Sequence, residues 1–441
     1  MSLYNELRTK HPTFIYHSYK LTNTALEFHF SIGENHFRPR WSFGEDISTC
    51  VFDRPLAEKI AFSLGMAELV SYWKCACCPT VEVRCGGLSV WEIGWWKKLY
   101  FNGLGEFFYR NKIEPDYENF MQIKADEPTE LSEKRGSLNG YLVPVGGGKD
   151  SVVTLELLKK HGADISAYII NPRPATVGCA EAAGIPREKM ITPRRTIDPQ
   201  LLALNKQGYL NGHTPFSAVV AFSAELMGCI HSVKYIVLSN ESSANESYVE
   251  GTSINHQYSK STEFENDFRC YCQHSFGGFS RCPEYFSLLR PWSEWQIARE
   301  FVKHSRYFPI FQSCNLGSKT NSWCCNCAKC LYVYILLAAF LPDNVLVGIF
   351  GCNMLEKTDL ADCFDGLVLD GEDKPFECVG TKDEVRLSLE MASRLREGSL
   401  PPLLARWRQL CPNYEPVDLT EFFDKANFVP QELLPLLKSS E

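Results

Sequence analysis

Residues 141–160, YLVPVGGGKDSVVTLELLKK, contain a short apolar run, three consecutive glycines and an amphipathic segment. The apolar run is typical of a buried parallel strand, and the segment that begins at Lys149 has helical spacing. Strand-like and helix-like runs then alternate over residues 164–239, in DISAYII, PATVGCAEAAG, EKMIT, FSAVVAFSAELMGCIH and KYIVLS. This alternation predicts an α/β domain with a doubly wound parallel sheet, whose ligand site lies beyond the carboxyl ends of the strands.

The glycine-rich turn predicts an anion site. Successive glycines let backbone N–H groups point inward, and the helix that follows adds the positive end of its dipole. The lysine and serine side chains can donate to phosphate oxygens, and the aspartate can hold magnesium. The candidate binding residues are Gly146, Gly147, Gly148, Lys149, Asp150 and Ser151. The spacing excludes a Walker A loop and a GxGxxG fingerprint, and the alternative is a turn that binds no ligand.

The motif resembles the SGGxDS loop of the PP-loop ATP pyrophosphatases, with Gly146 in place of the usual serine. The resemblance implies that ATP is split between its α and β phosphates with release of pyrophosphate. It also implies adenine binding after the second strand, which ends near Asn171, and polar ligands after the fourth strand. There the run LSNESSANES offers Asn240, Glu241 and Ser242 for magnesium, ribose or substrate. A solvated loop is the alternative for that run.

Four cysteines form the second motif, in the spacing Cys314-x9-Cys324-x2-Cys327-x2-Cys330. Such a set closes a tetrahedral zinc site with no open position, which predicts a structural metal. A related late cysteine arrangement occurs in the cyanodeazaguanine synthases, which are also PP-loop enzymes. The alternatives are buried cysteines without metal, a redox pair and an iron–sulfur cluster. Cys325 is an alternative ligand.

Six runs, taken together, resemble the ATP-dependent UDP-N-acetylmuramoyl-L-alanyl-L-glutamate epimerases of bacterial peptidoglycan synthesis. They are WWKKLYFNGLGEFFYRN (95–111), VPVGGGKDS (143–151), SNESSANES (239–247), INHQYSKSTEFENDFR (254–269), LRPWSEWQIAREF (289–301) and WCCNCAKCLYVYILLAAFLP (323–342). The resemblance implies that ATP adenylates the terminal glutamate carboxyl, that the α-proton is removed and replaced, and that water then releases AMP. The implied cofactors are ATP, Mg²⁺ and structural Zn²⁺. The alternatives are a PP-loop amide- or thio-transfer enzyme and a nucleotide-binding regulator with a zinc knuckle.

The candidate acid and base lie in INHQYSK, where His256, Tyr258 and Lys260 recur at a spacing of two. If this segment is extended, the three side chains share one face. With Asp150 of the loop they are the predicted catalytic residues, and His256 has the ordinary pKa nearest to neutrality. The alternative is that they are ordinary loop or core side chains. Arg269, Lys260 and Arg281 are candidates for the uridine diphosphate, and the alternative is that each is an ordinary surface charge.

The composition is that of a multidomain globular protein: 441 residues, 45% hydrophobic and 22% charged. We predict an N-terminal α+β domain over 1–135, the PP-loop domain with its cysteine knuckle over 138–345, and a mostly helical region over 346–441. Residues 124–140 are polar and rich in turn formers, which predicts a linker.

The charge and the cysteine content bear on partners and location. A net charge of −8 argues against a nucleic-acid partner. The apolar stretch 331–351 is interrupted by Pro-Asp-Asn, which predicts two buried elements joined by a turn and no membrane span. The first residues lack an apolar signal segment, and nineteen cysteines in such a chain predict reduced thiols in the cytoplasm. The expected partners are small molecules alone, ATP and the muramoyl dipeptide.

Overall fold

The computed structural model describes residues 2–129, 137–249, 251–252, 254–396, 398 and 400–438. Within these ranges, twelve strands form two sheets that are flanked by helices. The predicted linker falls partly on residues 130–136, which lie outside the described ranges.

The first sheet is mixed and is built mainly from the N-terminal part of the chain. Its strands are β1 (Thr13–Leu21), β2 (Ala25–Ile32), β3 (Asn35–Phe37), β4 (Arg40–Ser42), β5 (Thr80–Gly87), β6 (Gln122–Asp126) and β10 (Arg194–Thr196). They lie in the order β10-β4-β2-β1-β5-β6, with β3 paired to β2. Strand β10 therefore comes from the part of the chain assigned to the second domain. The division at 1–135, 138–345 and 346–441 stays a prediction.

The second sheet is parallel throughout and carries the glycine-rich loop. Its strands are β7 (Asn139–Pro144), β8 (Ile165–Tyr168), β9 (Met190–Ile191), β11 (Val233–Leu238) and β12 (Glu284–Ser287). The order is β12-β11-β7-β8-β9, so β7 pairs with β8 on one side and with the later strand β11 on the other. This is the doubly wound order, and its topological switch point lies between β7 and β11. The predicted parallel sheet is thus confirmed.

Fifteen helices are present in the described residues. They are α1 (Leu3–Lys10), α2 (Arg54–Trp73), α3 (Val90–Gly103), α4 (Gly105–Arg110), α5 (Lys149–Lys160), α6 (Pro174–Ala182), α7 (Pro199–Lys206), α8 (Phe216–Ile230), α9 (Thr262–Ser275), α10 (Glu294–Phe301), α11 (Ala328–Ala338), α12 (Asp343–Phe350), α13 (Ala361–Val368), α14 (Lys382–Leu395) and α15 (Pro402–Leu410). Side-chain caps begin several of them. Ser89 with Glu92 and Ser293 with Gln296 form capping boxes on α3 and α10.

The second sheet is covered on both faces. Alternate strand residues point to opposite sides, so Leu142 and Ile236 pack in the core that contains α2 and α8. Their neighbours Val143 and Val237 pack in the other core, with α5, α10 and α11. Because the first core also contains the inner residues of the first sheet, the two sheets share it.

The apolar stretch 331–351 forms the end of α11, a turn at Pro342 and then α12, as predicted. Helix α11 is buried along its whole length in the second core. Among the described helices, none is both long enough and apolar enough to cross a membrane.

Candidate functional site

The glycine-rich loop joins the end of β7 to the start of α5, at the switch point of the parallel sheet. Gly147 has φ +83°, and a Cβ there would lie 3.1 Å from the backbone nitrogen of Thr176. A Cβ at Gly148 would lie 2.6 Å from Ser313 Oγ, whereas one at Gly146 would meet nothing within 4 Å. Glycine is therefore required at position 147 by its positive φ and by the nearby backbone, whereas a side chain at 148 would need only the Ser313 hydroxyl to move. Position 146 has room for the hydroxyl that the PP-loop motif carries.

The residues that follow the loop form a buried charged cluster. The Lys149 ammonium is 1% exposed and contacts both Asp150 and Glu294 at the start of α10. Burial alone would raise the pKa of Asp150, but the charges of Lys149, Lys329 and Lys260 together with the Lys149 hydrogen bond outweigh it and lower that pKa. Burial raises the pKa of Glu294 to about 8. The cluster thus keeps Asp150 ionised, and the contact with the buried Lys149 fixes the position of its carboxylate.

A cavity of about 610 Å³ opens beside this loop, which is a typical size for a small-molecule site. Eight of the residues predicted for catalysis and nucleotide binding line it, together with the predicted metal ligand Cys314: Gly146, Gly148, Asp150, Ser151, Asn171, Asn240, Glu241 and Lys260. Gly147, Lys149, Ser242, His256 and Tyr258 are not in its wall. The structure therefore brings the loop and the ends of β8 and β11 together, as the parallel topology requires.

Backbone contacts fix the strand-end residues. Asn171 lies at φ 50°, and its side chain exchanges two hydrogen bonds with the backbone of Arg195 at 2.9 and 3.2 Å. Asn240 donates to Ser287 Oγ at 3.0 Å. Ser242 instead donates to the Trp292 carbonyl at 3.1 Å, away from the cavity.

A fully buried arginine supports the far wall. Arg290 donates to the backbone carbonyls of Glu241 and Lys260, and it pairs with Glu265 at 3.0 Å. One side chain thus ties together two segments that contribute to the cavity. Arg290 belongs to the run LRPWSEWQIAREF (289–301), and these contacts give it a positioning role.

The segment 254–260 is not extended, because Tyr258–Lys260 forms a 3-10 turn. The expectation of one shared face was therefore wrong. Tyr258 packs near Lys98 and Asn102, His256 contacts Glu106 at 2.5 Å, and Lys260 points into the cavity.

The sequence reasoning missed Cys378, which lines the same cavity. Its sulfur accepts a hydrogen bond from Lys260 Nζ at 3.2 Å, and it also hydrogen-bonds His256. Burial opposes ionisation, but Lys260 and His256 outweigh it and lower the pKa of the Cys378 thiol to about 6. No spacing motif surrounds this cysteine, so only the fold reveals its neighbours.

The four predicted metal ligands converge at the edge of the cavity. The sulfurs of Cys314, Cys324, Cys327 and Cys330 lie within 4.8 Å of one another, and the backbone N–H groups of Gly317 and Asn326 donate to two of them. Four sulfurs with N–H donors fit a structural Zn²⁺ site.

Cys325 lies outside this set. Its φ is 49°, and its thiol donates to the Phe350 carbonyl at 3.2 Å.

The two arginines considered for the uridine diphosphate are engaged elsewhere. Arg269 pairs with Glu284 at 2.9 Å, and Arg281 pairs with Asp53 at 2.6 Å. Neither lines the cavity.

Two family models match this chain. The MurL N-terminal domain matches residues 5–288, and the MurL C-terminal domain matches residues 310–421. A UDP-N-acetyl-alpha-D-muramoyl-L-alanyl-L-glutamate epimerase from Xanthomonas oryzae pv. oryzae is 35% identical over 359 residues, which cover 79% of this chain and 78% of that protein. Epimerases with the same name from Micromonospora sp. and Salinispora tropica are 36% and 34% identical, over 73% and 76% of this chain and 72% and 75% of their own lengths.

Proposed function

The chain belongs to the MurL family of UDP-N-acetyl-alpha-D-muramoyl-L-alanyl-L-glutamate epimerases, and we propose that it inverts the terminal glutamate through an ATP-derived acyl-adenylate. It is an isomerase of peptidoglycan precursor synthesis. The observation that carries the ATP-dependent mechanism is the glycine-rich loop at the switch point of the parallel sheet, which opens into the cavity with Asp150 and Lys260.

Adenylation explains why an epimerase consumes ATP. The α-proton of a carboxylate is hard to remove because the resulting carbanion lies beside a full negative charge. Joining the carboxyl to AMP removes that charge and lets the electron pair delocalise onto the carboxyl oxygen. Deprotonation, return of a proton to the opposite face and hydrolysis then give the D-glutamate product and AMP.

The chain's own residues divide this work. The backbone of the loop and Ser151 would bind the phosphates, and Asn171, which lines the same cavity at the end of the second parallel strand, is the proposed neighbour of the adenine. Asp150 and Glu241 face the cavity and would hold Mg²⁺, which would stabilise negative charge on the phosphates when bound. Lys260 lines the same cavity as Asp150, and we infer that its ammonium binds the dipeptide carboxyl or the α phosphate.

The Cys314, Cys324, Cys327 and Cys330 set would hold Zn²⁺ as a structural element. Cys330 lies in the first turn of α11, and the residue before it, Lys329, donates its backbone N–H to Glu377 and its ammonium to the Cys378 carbonyl. A metal in this set would therefore hold the 377–378 segment against the cavity.

The test is a single incubation with Mg²⁺, ATP and the muramoyl dipeptide in deuterated water. We expect AMP and pyrophosphate, D-glutamate in the product, and deuterium at its α-carbon. Asp150→Ala should abolish turnover, and the Arg187→Ala change on the exposed surface is the matched control. Formation of ADP and phosphate, or inversion at full rate without ATP, would contradict the mechanism. Amide or thioamide products would indicate a transferase instead.

A further inference from the structure

We propose that the Cys378 thiolate is the base that removes the α-proton from the adenylated glutamate, held in place by His256, Glu106 and Lys260. This inference rests on the proposed acyl-adenylate mechanism and names the catalytic residue for its second half. In the step, the Cα–H bond breaks and an S–H bond forms, while the electron pair moves onto the activated carboxyl oxygen as an enolate. Water supplies a proton to the opposite face, and the hydroxide produced removes the proton from the thiol through His256.

The geometry is that of a nucleophile or base, a proton relay and an orienting carboxylate. Cys378 lies in the cavity wall, His256 hydrogen-bonds its thiol, and Glu106 Oε2 lies 2.5 Å from His256 Nδ1. Glu106 also lies 3.4 Å from His213 Nδ1. His256, which the sequence predicted as a catalytic residue, therefore lies outside the cavity wall. Cys378 is the residue of this group that lines the cavity.

Two lysines surround the same sulfur with positive charge. Lys260 Nζ is 3.2 Å from Cys378 Sγ, and Lys329 contacts the carbonyl of the same residue. Both lysines line the cavity together with Asp150. Cations here stabilise the thiolate before the reaction and the enolate oxygen during it.

The other titratable groups in the described wall are less suited to accept this proton. Asp150 belongs to the phosphate loop and is ion-paired with Lys149. Cys314 belongs to the four-cysteine set and accepts the Gly317 N–H. Glu241 is 5% exposed and accepts from Ser243 at 3.4 Å.

The remaining titratable residues of the described wall are the cations Arg173, Lys260 and Lys329 and one tyrosine, Tyr168, whose pKa is raised by burial.

The protonation states agree with this assignment. Burial alone would lower the pKa of His256, but the hydrogen bonds to Cys378 and Glu106 raise it to about 9. With a Cys378 pKa of about 6, the pair exists as thiolate and imidazolium between those two values. Tyr248 also faces the sulfur, and burial raises its pKa well above the usual range, so it stays neutral there. Proton exchange should thus fall below about pH 6 and above about pH 9.

The test separates adenylation from proton removal. Dipeptide-dependent ATP–pyrophosphate exchange reports the first step, and deuterium entry at the glutamate α-carbon reports the second. We expect Cys378→Ala to lower deuterium entry by at least about 100-fold, the usual contribution of a general base, with pyrophosphate exchange within about threefold of wild type. Cys411→Ala, a half-buried cysteine at the end of α15, is the matched control and should change neither. Cys378→Ser should retain the fold and lose the acid limb of the pH profile.

Each result decides the matter. Normal deuterium entry in Cys378→Ala would overturn the assignment, and so would loss of both steps. An acyl group found by mass spectrometry on Cys378 of the wild-type enzyme would make it a nucleophile instead of a base. If the wild-type enzyme itself shows no ATP–pyrophosphate exchange, the acyl-adenylate mechanism fails, and the assignment of Cys378 fails with it.

Discussion

Gly147 is the position at which the loop geometry can be tested most directly. It has φ +83°, and an added Cβ would lie 3.1 Å from the Thr176 nitrogen and 3.2 Å from the Ala175 carbonyl carbon. An L-residue in the left-handed region costs about 1–2 kcal/mol. The contacts add to this cost because they involve the backbone of the first turn of α6, which cannot rotate away. We therefore expect Gly147→Ala to lower the free energy of unfolding by at least about 1–2 kcal/mol and to raise the KM for ATP.

The neighbouring glycine provides the matched control. A Cβ at Gly146 meets nothing within 4 Å, and no left-handed φ is required there. Gly146→Ala should therefore stay within about 0.5 kcal/mol of wild type. Gly146→Ser should restore the hydroxyl of the PP-loop motif and lower the KM for ATP. Urea unfolding gives the stabilities, and ATP–pyrophosphate exchange gives the KM values. Equal stability of the two alanine variants would refute the account of the loop.

Three further predictions concern the surroundings of the cavity. Arg290→Ala should destabilise the fold by about 3–5 kcal/mol, because it leaves the buried Glu265 carboxylate without its cation. Urea unfolding measures this loss, with the exposed Arg187→Ala as the control variant. Equal unfolding midpoints for the two variants would contradict the prediction. Elemental analysis should find about one zinc per chain, the stoichiometry of a single four-ligand site. Cys327→Ser should lose that metal and part of the stability, whereas Cys325→Ser should keep it, and a folded wild-type protein without metal would disprove the site. Lys260→Ala should raise the pH at which Cys378 becomes reactive toward iodoacetamide, because it removes the cation 3.2 Å from the sulfur. Peptide mass spectrometry measures the alkylation of Cys378 as a function of pH. An unchanged pH profile would show that Lys260 does not stabilise the thiolate.

Local sequence signals were sufficient for the parts of the fold that depend on periodicity. The alternating runs predicted the parallel sheet, and the glycines predicted the strand–loop–helix unit at its switch point. The interruption at Pro342 predicted the break between α11 and α12. Each of these features is decided by residues within one or two turns of one another. The placement of β10 at the edge of the first sheet was not predicted, because a three-residue strand carries no pattern of its own.

Some residues of the candidate site could be predicted from the sequence and others could not, for a physical reason. Gly146, Asp150 and Asn240 follow strands of one parallel sheet, so topology alone brings them to a common edge. Cys378 comes from a loop 118 residues beyond Lys260, and no spacing rule connects the two.

What places Cys378 is a chain of tertiary contacts. Lys329 at the start of α11 donates to its carbonyl, and Cys314 of the knuckle lines the same cavity as the glycine-rich loop. The cysteine knuckle is therefore connected to the predicted base through Lys329. Loss of the metal should therefore weaken both proton removal at Cys378 and ATP binding at the glycine-rich loop, because the Gln312 N–H, two residues before Cys314, donates to the Gly147 carbonyl at 2.7 Å.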